Sequence, residues 1–304
     1  MDVPTILATG LACLDVMDLQ EKEGPRLSAG GFSNALILLK TQGWNAIPAV
    51  DLGNDRAGDY VYREFMDWNL DIRFVDRDPE LLTPIYVLRH RQGEHYFGKE
   101  CPHCHIPFPR YSPISLKKAE SICERLPPKV QVFYFDKVSS AAILLAEECK
   151  RRSALVVFEP NRIDDPDLFQ KSVQVADWVK YSRERRSVIH SFTNGVPVPL
   201  EMETAGSDGL QYRIASEDRD REWISLPSIP VRNFVDASGA GDCLTASLLH
   251  TFGSRDTFFS RLRDPQSLQT IFMKGQESSA QNCQYAGARS ILYQNRAMLR
   301  GNDY

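Results

Sequence analysis

Apolar positions along the chain follow two alternating patterns. Short, nearly continuous apolar runs are typical of buried strands and occur in PTILATG, NAIPAVDLG, KVQVFYFD and ALVVFEP. Between them, apolar residues recur at helical spacing in GGFSNALILLKTQG, DRAGDYVYREFMDWN and SSAAILLAEECKRR. This strand–helix–strand order predicts right-handed crossovers, and therefore an α/β fold around a mainly parallel sheet.

One segment departs from this order. PIYVLRHRQGEHYFG predicts an antiparallel hairpin that turns at Gln92 and Gly93, with basic residues on one arm. The sequence contains no internal repeat, low-complexity tract or obvious interdomain linker. We therefore expect a small antiparallel addition to the α/β sheet.

Composition narrows the class of protein. The 304 residues are 42% hydrophobic and 25% charged, which is ordinary for a globular protein. A net charge of −4 argues against a protein that coats nucleic acid, because phosphate neutralisation needs a basic excess. No apolar run is long enough to span a bilayer, and the start MDVPTILATG lacks the pattern of a signal peptide. Seven cysteines, an odd number, favour reduced thiols and a cytoplasmic location.

The stretch VDASGAGDCLTASLLHTF places glycines and an acid at the start of an apolar helix. Gly239, Ala240 and Gly241 carry little side chain, so their amides can approach a ligand closely. A helix N-terminus with bare amides favours an anion such as phosphate, and Asp242 beside it could take a proton or hold a metal. The alternative is a plain glycine turn in which Asp242 is a first-turn acid favoured by the helix dipole.

Polar residues also follow several predicted strands. In a parallel sheet covered by helices, ligands bind beyond the carboxyl ends of the strands. The polar residues expected at that edge are Asp15, Asp51, Asp55, Asp136, Glu159, Asn161 and Asp242. The sequence has neither a G-x-x-x-x-G-K-[ST] loop nor a G-x-G-x-x-G loop after a strand, which disfavours Walker-type and dinucleotide-binding folds.

Four stretches are spaced along nearly the whole chain: AGGFSNALILLKTQG followed by DLGNDRAG, then METAGSDGLQY, VDASGAGDCLTASLL and AGARS. In this order they resemble the signatures of the ribokinase-like (PfkB) family of carbohydrate and nucleoside kinases. The family has two glycines and an asparagine followed by G-x-D-x-x-G, a T-x-G-x-x-G nucleotide loop, D-T-x-G-A-G-D, and a turn beside the adenine and cation sites. The resemblance implies a single kinase domain over 1–304, with a three-layer αβα fold, a mainly parallel central sheet and a small β lid.

The resemblance also implies roles for individual residues. Asp242 would be the general base for the attacking hydroxyl, and the amides of Gly239, Ala240 and Gly241 would form an anion hole for the transferred phosphoryl group. The residues implied to bind or support the substrate are Asp15, Gly31, Asn34, Asp55 and Asp136. Those implied to bind the nucleotide are Thr204, Gly206, Gly209 and Asn282. Asp236 and Glu184 are the acidic candidates for holding Mg²⁺.

The chain departs from the family pattern in four places. The family's N-x-x-E, which binds Mg²⁺ through water, is replaced by KYSRER, with Ser182 at the asparagine and Glu184 out of register. This change disfavours the usual metal geometry, and Ala237 in place of a threonine removes a hydroxyl near the phosphates. The stretch 182–204 is short enough to lack a helix. Only 15 residue steps separate Asp15 from Gly30, so we expect a reduced lid. Residues of about 84–98 would form most of this lid, with 16–29 as a second contributor. A lid of this size would not support an extensive clasp dimer.

CPHCH, residues 101–105, is a candidate zinc site because thiolate and imidazole suit Zn²⁺. Structural zinc sites usually pair two C-x-x-C clusters, and this sequence has one, so we favour a plain loop after the hairpin. The cysteines interpreted as core or helix residues are Cys123, Cys149, Cys243 and Cys283. The arginines interpreted as a solvated face, which could also attract a phosphorylated substrate, are Arg183, Arg185 and Arg186.

Together these features predict an ATP-dependent sugar kinase that uses ATP and Mg²⁺, with a monovalent cation as an optional addition. Its expected partners are a small sugar and ATP, without nucleic acid or membrane, in a cytoplasmic monomer or homodimer. Two alternatives stay open. A nucleoside kinase could stack a base on Tyr86, Tyr96 or Phe97. A sugar or nucleotide sensor would keep the fold with weak turnover; Ser182 and Ala237 favour it, whereas Asp242 and its glycines argue against it.

Overall fold

Strands and helices alternate along residues 3–17, 26–91, 94–215 and 222–292, which are the part of the chain that the computed structural model describes. The strands are β1 (Thr5–Thr9), β2 (Ala12–Met17), β3 (Arg26–Gly31), β4 (Asn45–Gly53), β5 (Phe74–Asp78), β6 (Ile85–Arg91), β7 (Glu94–Gly98), β8 (Val132–Phe135), β9 (Leu155–Phe158), β10 (Trp178–Ser182), β11 (Leu200–Thr204), β12 (Leu210–Ile214) and β13 (Ile224–Leu226). The helices are α1 (Ser33–Thr41), α2 (Arg56–Asp67), α3 (Leu116–Glu124), α4 (Ser140–Arg151), α5 (Pro166–Val175), α6 (Arg186–Thr193), α7 (Ala240–Phe252), α8 (Arg255–Leu262) and α9 (Pro265–Asn282).

The central sheet has the order β13-β12-β11-β10-β9-β8-β1-β4-β5 within the described residues. All neighbours from β11 to β5 pair in parallel, and only β12 and β13 at one edge are antiparallel. The carboxyl ends of the parallel strands therefore meet at one edge, as the alternating sequence pattern predicts. The mainly parallel α/β fold is confirmed.

Helices cover both faces of this sheet. Alternate residues of a strand point to opposite faces. Ile6 and Ala8 of β1 pack in the core beside α1, α2, α7, α8 and α9, whereas Leu7 packs in the core beside α3, α4, α5 and α6. All four residues of β9 are buried, as expected for a strand covered on both sides. The molecule thus has the three layers, helix–sheet–helix, that the resemblance implied.

A second sheet has four strands in the order β3-β2-β6-β7. The hairpin of β6 and β7 is antiparallel, as predicted, and the Gln92–Gly93 position of its turn lies outside the described residues. β2 pairs antiparallel with β3 and parallel with β6, so both chain segments contribute strands. The four-stranded sheet is therefore shared between the two segments more evenly than the predicted lid formed mainly by about 84–98. Two six-residue strands and a connection fit within residues 12–31, so the short spacing did not remove this half of the sheet.

The segment 182–204 also differs from expectation. It contains a 3₁₀ turn, Arg183–Arg185, followed directly by α6, so the helix that the short spacing seemed to leave out is present. Among the core or helix cysteines, Cys149, Cys243 and Cys283 are buried, and all seven cysteines are free thiols. The helices in the described ranges are each too short or too polar to cross a membrane.

Candidate active site

A cavity of about 930 Å³ lies between the carboxyl edge of the central sheet and the four-stranded sheet. Its floor includes Asp136 after β8 and Glu159 after β9, and its opposite wall includes Tyr86 on β6. The sequence-predicted residues that line it are Asp15, Gly31, Asn34, Tyr86, Asp136, Glu159, Asn161, Arg185, Gly239 and Asp242. The fold therefore gathers residues from widely separated parts of the chain around one space.

The Asp242 turn, residues 238–242, leads into α7 at the edge of this cavity. Gly239 has φ of +70°, and a Cβ there would lie 2.2 Å from the carbonyl oxygen of Ala288, so only glycine fits. The Ala240 amide donates to the Ala237 carbonyl at 3.2 Å and is not free for an anion. In the described residues the amides of Gly239 and Gly241 have no such backbone acceptor, so two of the three amides implied for the anion hole are available.

Asp242 lies in the first turn of α7 and faces the cavity. Its Oδ2 accepts a hydrogen bond from Nδ2 of Asn34 at 2.9 Å. Burial raises the pKa of the Asp242 carboxyl to about 7; Glu159 acts in the same direction, while Lys180, Asn34 and Arg289 lower it. A carboxyl with a pKa near neutrality is suited to exchange protons at physiological pH.

A buried arginine, which sequence reasoning missed, holds Asn34 in place. Arg289 donates through Nη1 to Oδ1 of Asn34 and, at 2.6 Å, to the Ala29 carbonyl, while its Nη2 lies 2.7 Å from Glu64 Oε1. The Arg289 side chain is 1% exposed. Because Asn34 accepts from Arg289, its amide nitrogen must face Asp242. AGARS was recognised only as a turn, since a charged residue carries no sequence signal of deep burial.

Asp15 and Asp136 place two more buried carboxyls against the cavity. Burial raises the pKa of Asp15 to about 6, opposed by the Cys13 thiol and by Arg289. Burial raises the pKa of Asp136 to about 7, opposed by Lys137 and by the Leu11 amide, which donates to Asp136 Oδ1 at 2.8 Å. Both acids can accept hydrogen bonds from ligand hydroxyls, and in their protonated forms they can donate.

Lys180 lies beneath the Asp242 turn and was not predicted. It is 2% exposed, forms an ion pair with Glu159 and donates to the Gly241 carbonyl at 3.2 Å. Glu159 also accepts from the Thr245 hydroxyl at 2.7 Å. This cluster ties β9 and β10 to the first turns of α7.

Several predicted site residues support the cavity from outside its lining. Asp55 caps α2, accepting from the Gly58 amide at 2.7 Å and from the Thr83 amide at 2.8 Å. Asp51 pairs with Lys118. Asn282 is fully buried and donates to the Ser238 carbonyl at 2.8 Å, so it braces the Asp242 turn and does not face the cavity.

The predicted nucleotide loop forms the Gly206 turn, residues 205–209, after β11. Thr204 pairs in register with Ser182 of β10, so this turn lies at the same edge of the sheet as the 3₁₀ turn Arg183–Arg185. Arg183 joins the two turns through Asp208 at 2.7 Å. Thr204, Gly206 and Gly209 do not line the cavity.

The two acids implied to hold Mg²⁺ do not fit a metal site. Both oxygens of Asp236 are engaged, at 2.7 Å, by the amides of Ser238 and Gly287, and the residue has no exposed surface. Glu184 is exposed and outside the cavity lining, and a hydrogen bond from Ser182 lowers the pKa of its carboxyl. No group of three or more His, Cys, Asp or Glu suited to a metal occurs among the described residues. These residues do not support a protein-held Mg²⁺.

The CPHCH segment leads into a part of the cavity wall that the sequence did not indicate. Cys101 and Ile106 are joined through their backbones at 2.9 Å, and the chain then runs along the cavity. The lining residues it supplies are Pro107, Phe108, Pro109, Arg110 and Tyr111. The loop therefore shapes the cavity, and the preference for a plain loop over a zinc site at CPHCH stays a prediction.

No family model matches the sequence, and no curated protein sequence is similar to it. Solved structures are similar in fold. Fructokinase with bound ATP from Xylella fastidiosa aligns with a TM-score of 0.73 over 93% of each chain at 18% identity. The chain has the ribokinase-like fold.

Two further structures with the ribokinase-like fold differ in substrate. Aminoimidazole riboside kinase from Salmonella enterica, in complex with aminoimidazole riboside and an ATP analogue, has a TM-score of 0.68 and 20% identity, covering 93% of this chain and 95% of its own. Burkholderia thailandensis nucleoside kinase in complex with inosine has a TM-score of 0.69 and 15% identity, covering 93% and 92%. At these identities the likeness establishes the ribokinase-like fold and leaves the reaction to be argued from the site.

Proposed function

We propose that the protein is an ATP-dependent kinase that transfers the γ-phosphate to a hydroxyl of a sugar. The observation that carries this proposal is the Asp242 carboxyl. It lies at the N-terminus of α7, has a pKa raised to about 7, is oriented by Asn34, and faces a cavity of about 930 Å³. Such a group is suited to take a proton from a bound hydroxyl.

In the proposed reaction, the hydroxyl oxygen attacks the γ-phosphorus, and the bond from that phosphorus to the bridging oxygen of ADP breaks. The hydroxyl proton passes to Asp242. Charge on the transferred phosphoryl oxygens is stabilised by the Gly239 and Gly241 amides at the positive end of α7, with Lys180 below the turn. Phosphoryl transfer needs mainly positioning and charge stabilisation, and these elements supply both.

The substrate is proposed to bind between Asp15, Asn34 and Asp136. These polar groups are buried or half-buried and face the cavity from three different elements. Hydroxyl groups satisfy such side chains as donors and acceptors at once. The nucleotide is proposed to lie along the edge formed by Thr204 and the Gly206 turn, next to the Asp242 turn. A monovalent cation and a cytoplasmic location stay predictions.

A nucleoside is the second candidate substrate, because aromatic side chains line the cavity. They are Tyr86, Phe108, Tyr111 and Tyr134. An aromatic ring can stack a base and contributes about 1–3 kcal/mol per base. The side chains of Tyr96 and Phe97, the other aromatic residues considered for this role, lie outside the described residues.

A screen of ATP consumption across sugars, sugar acids and nucleosides, with Mg²⁺ present, tests the proposal. Turnover with one class at a rate at least a hundredfold above ATP hydrolysis alone would support it and name the acceptor. Binding of ATP and of a sugar without turnover would favour the sensor. No binding of ATP would overturn the proposal.

A further inference from the structure

Three arginines close together follow β10, and their environments differ. Arg183 lies 2.7 Å from Asp208 and 3.4 Å from Glu203. Arg186 lies 3.5 Å from Glu203 and stacks over the Trp223 ring at 5.5 Å. Arg183 and Arg186 therefore form ion pairs with acidic residues of the neighbouring strand or turn.

Arg185 points elsewhere. It is half-buried and lines the cavity together with Ser238, Gly239 and Asp242. No ion pair to Arg185 occurs among the residues that the structure describes. A half-buried guanidinium without a carboxylate keeps its charge and its fork of N–H donors available for a ligand.

Within the described residues, the acids near Arg185 form no ion pair with it. Glu159 pairs with Lys180, and Asp164 pairs with Arg162 at 2.5 Å. Asp242 is hydrogen-bonded to Asn34. Glu184 is exposed and outside the cavity lining, and its pKa is lowered by the hydrogen bond from Ser182 and further by the charge of Arg185. Where acidic ligands for a metal were expected, the cavity therefore presents the Arg185 guanidinium and, at the Asp242 turn, backbone amides without a backbone acceptor.

We infer that Arg185 binds the phosphate chain of the nucleotide directly. A cationic side chain would then contact the phosphates at a place where acidic side chains were expected to hold Mg²⁺. The inference rests on the proposed kinase function, because it assigns one residue to the phosphate half of that site. A guanidinium binds phosphate oxygens in a bidentate geometry, and it needs no metal between the protein and the phosphates. Mg²⁺ would then reach the site on the nucleotide, without carboxylates of the chain to anchor it.

The test is calorimetric titration of ATP, inorganic tripolyphosphate and adenosine into the full chain, in EDTA and again with Mg²⁺. Wild type should bind ATP in EDTA within a few-fold of its affinity with Mg²⁺. Arg185→Gln should lose about 10- to 100-fold in affinity for ATP and tripolyphosphate in EDTA, as expected for a charge-assisted hydrogen bond, and keep its affinity for adenosine. Arg185→Lys should recover part of the loss. Arg186→Gln, the same charge change one residue along, is the matched control and should bind ATP like wild type.

The outcomes separate this inference from the kinase proposal. If wild type binds ATP only with Mg²⁺ and Arg185→Gln binds it equally well, the inference is wrong and the kinase proposal stands. If Arg185→Gln weakens binding of a sugar phosphate and leaves ATP and tripolyphosphate unchanged, Arg185 belongs to the acceptor site and the inference is also wrong. If wild type binds no ATP in either condition, both fail. Thermal melting of each variant shows whether it is folded.

Discussion

Two glycine turns follow the same edge of the sheet, and their surroundings differ. The Asp242 turn is braced by Asn282 from below, by Ala288 at Gly239 and by the chain from Asp242 through Asn34 to Arg289. The Gly206 turn closes on itself through bonds between Ala205 and Gly209, and a Cβ at Gly206 would meet nothing within 4 Å. The Asp242 turn is thus anchored by distant residues and faces the cavity, whereas the Gly206 turn is held by its own backbone, by Arg183 at Asp208 and by Leu226 at Gly209, and is open only at Gly206. The difference predicts where substitutions should alter chemistry and where only stability.

The largest effect is expected at Asp242. Asparagine is nearly isosteric, so Asp242→Asn should keep the turn and the binding of ATP and sugar. It removes the carboxylate that takes the hydroxyl proton, so kcat should fall about 10²–10⁴-fold with little change in KM. Steady-state kinetics at saturating sugar and Mg-ATP measure this.

Asp256 supplies the matched control for that experiment. It is the first-turn acid of α8, outside the cavity. Asp256→Asn should leave kcat within about twofold of wild type. If both variants keep wild-type kcat, Asp242 is only a first-turn acid and the anchored turn has no catalytic advantage over the open one.

The second effect is on stability and concerns Arg289. Arg289→Met removes the guanidinium that faces Glu64 and Asn34, and breaking a buried pair on one side typically lowers the free energy of unfolding by about 3–5 kcal/mol. Arg263→Met, at an exposed arginine, should change it by less than about 0.5 kcal/mol. Denaturant unfolding provides the measurement. Adding Glu64→Gln to Arg289→Met should recover part of the loss, and a loss equal to that of Arg263→Met would show that the network does not anchor the turn.

The third test compares alanine at the two glycines of the Gly206 turn. Gly209 has φ of +94°, and a Cβ would lie 2.2 Å from the Leu226 carbonyl oxygen, whereas Gly206 has φ of +56° and open space. Gly206→Ala should lower the free energy of unfolding by about 1–2 kcal/mol, the ordinary penalty for a non-glycine residue in the left-handed conformation. Gly209→Ala should cost about 1–3 kcal/mol more, because backbone must also shift. Equal unfolding free energies for the two variants would contradict the assigned packing.

The sequence predicted the strands and helices that carry the two turns, but not the buried charged residues near the Asp242 turn. Apolar runs and helical spacing identify β1, β4, β8, β9, α1, α2 and α4 because burial of apolar side chains determines those elements. Arg289 and Lys180 escaped prediction, since hydropathy places charged residues at the surface and their partners lie far away in sequence. Asp242 and Gly239 could be proposed as site residues because glycines before an acid at the start of a helix form a local sequence pattern. The number of strands contributed by the first segment was underestimated. The short spacing from Asp15 to Gly30 suggested little room, yet the six-residue strands β2 and β3 fit within residues 12–31.

The smallest effect is a pH dependence at the Asp242 turn. As pH rises toward 7, kcat/KM should increase while the contribution of Asp242 to stability should decrease. Because the pKa of Asp242 is raised to about 7, the carboxylate needed as base is lost as pH falls, and kcat/KM should drop up to tenfold per pH unit below about 7. The same shift means that the folded state binds a proton more tightly than the unfolded state, so Asp242 contributes stability at low pH that is lost as pH rises through 7.

Asp242→Asn removes this contribution, so its stability relative to wild type should increase from pH 5 to pH 8, measured by urea unfolding at each pH. Asp136 also has a pKa raised to about 7, so an apparent pKa near 7 alone does not identify the base. Asp136→Asn is therefore assayed alongside, and it should keep the activity limb below pH 7. If the decrease in kcat/KM below pH 7 disappears in Asp136→Asn, then Asp136, and not Asp242, is the base.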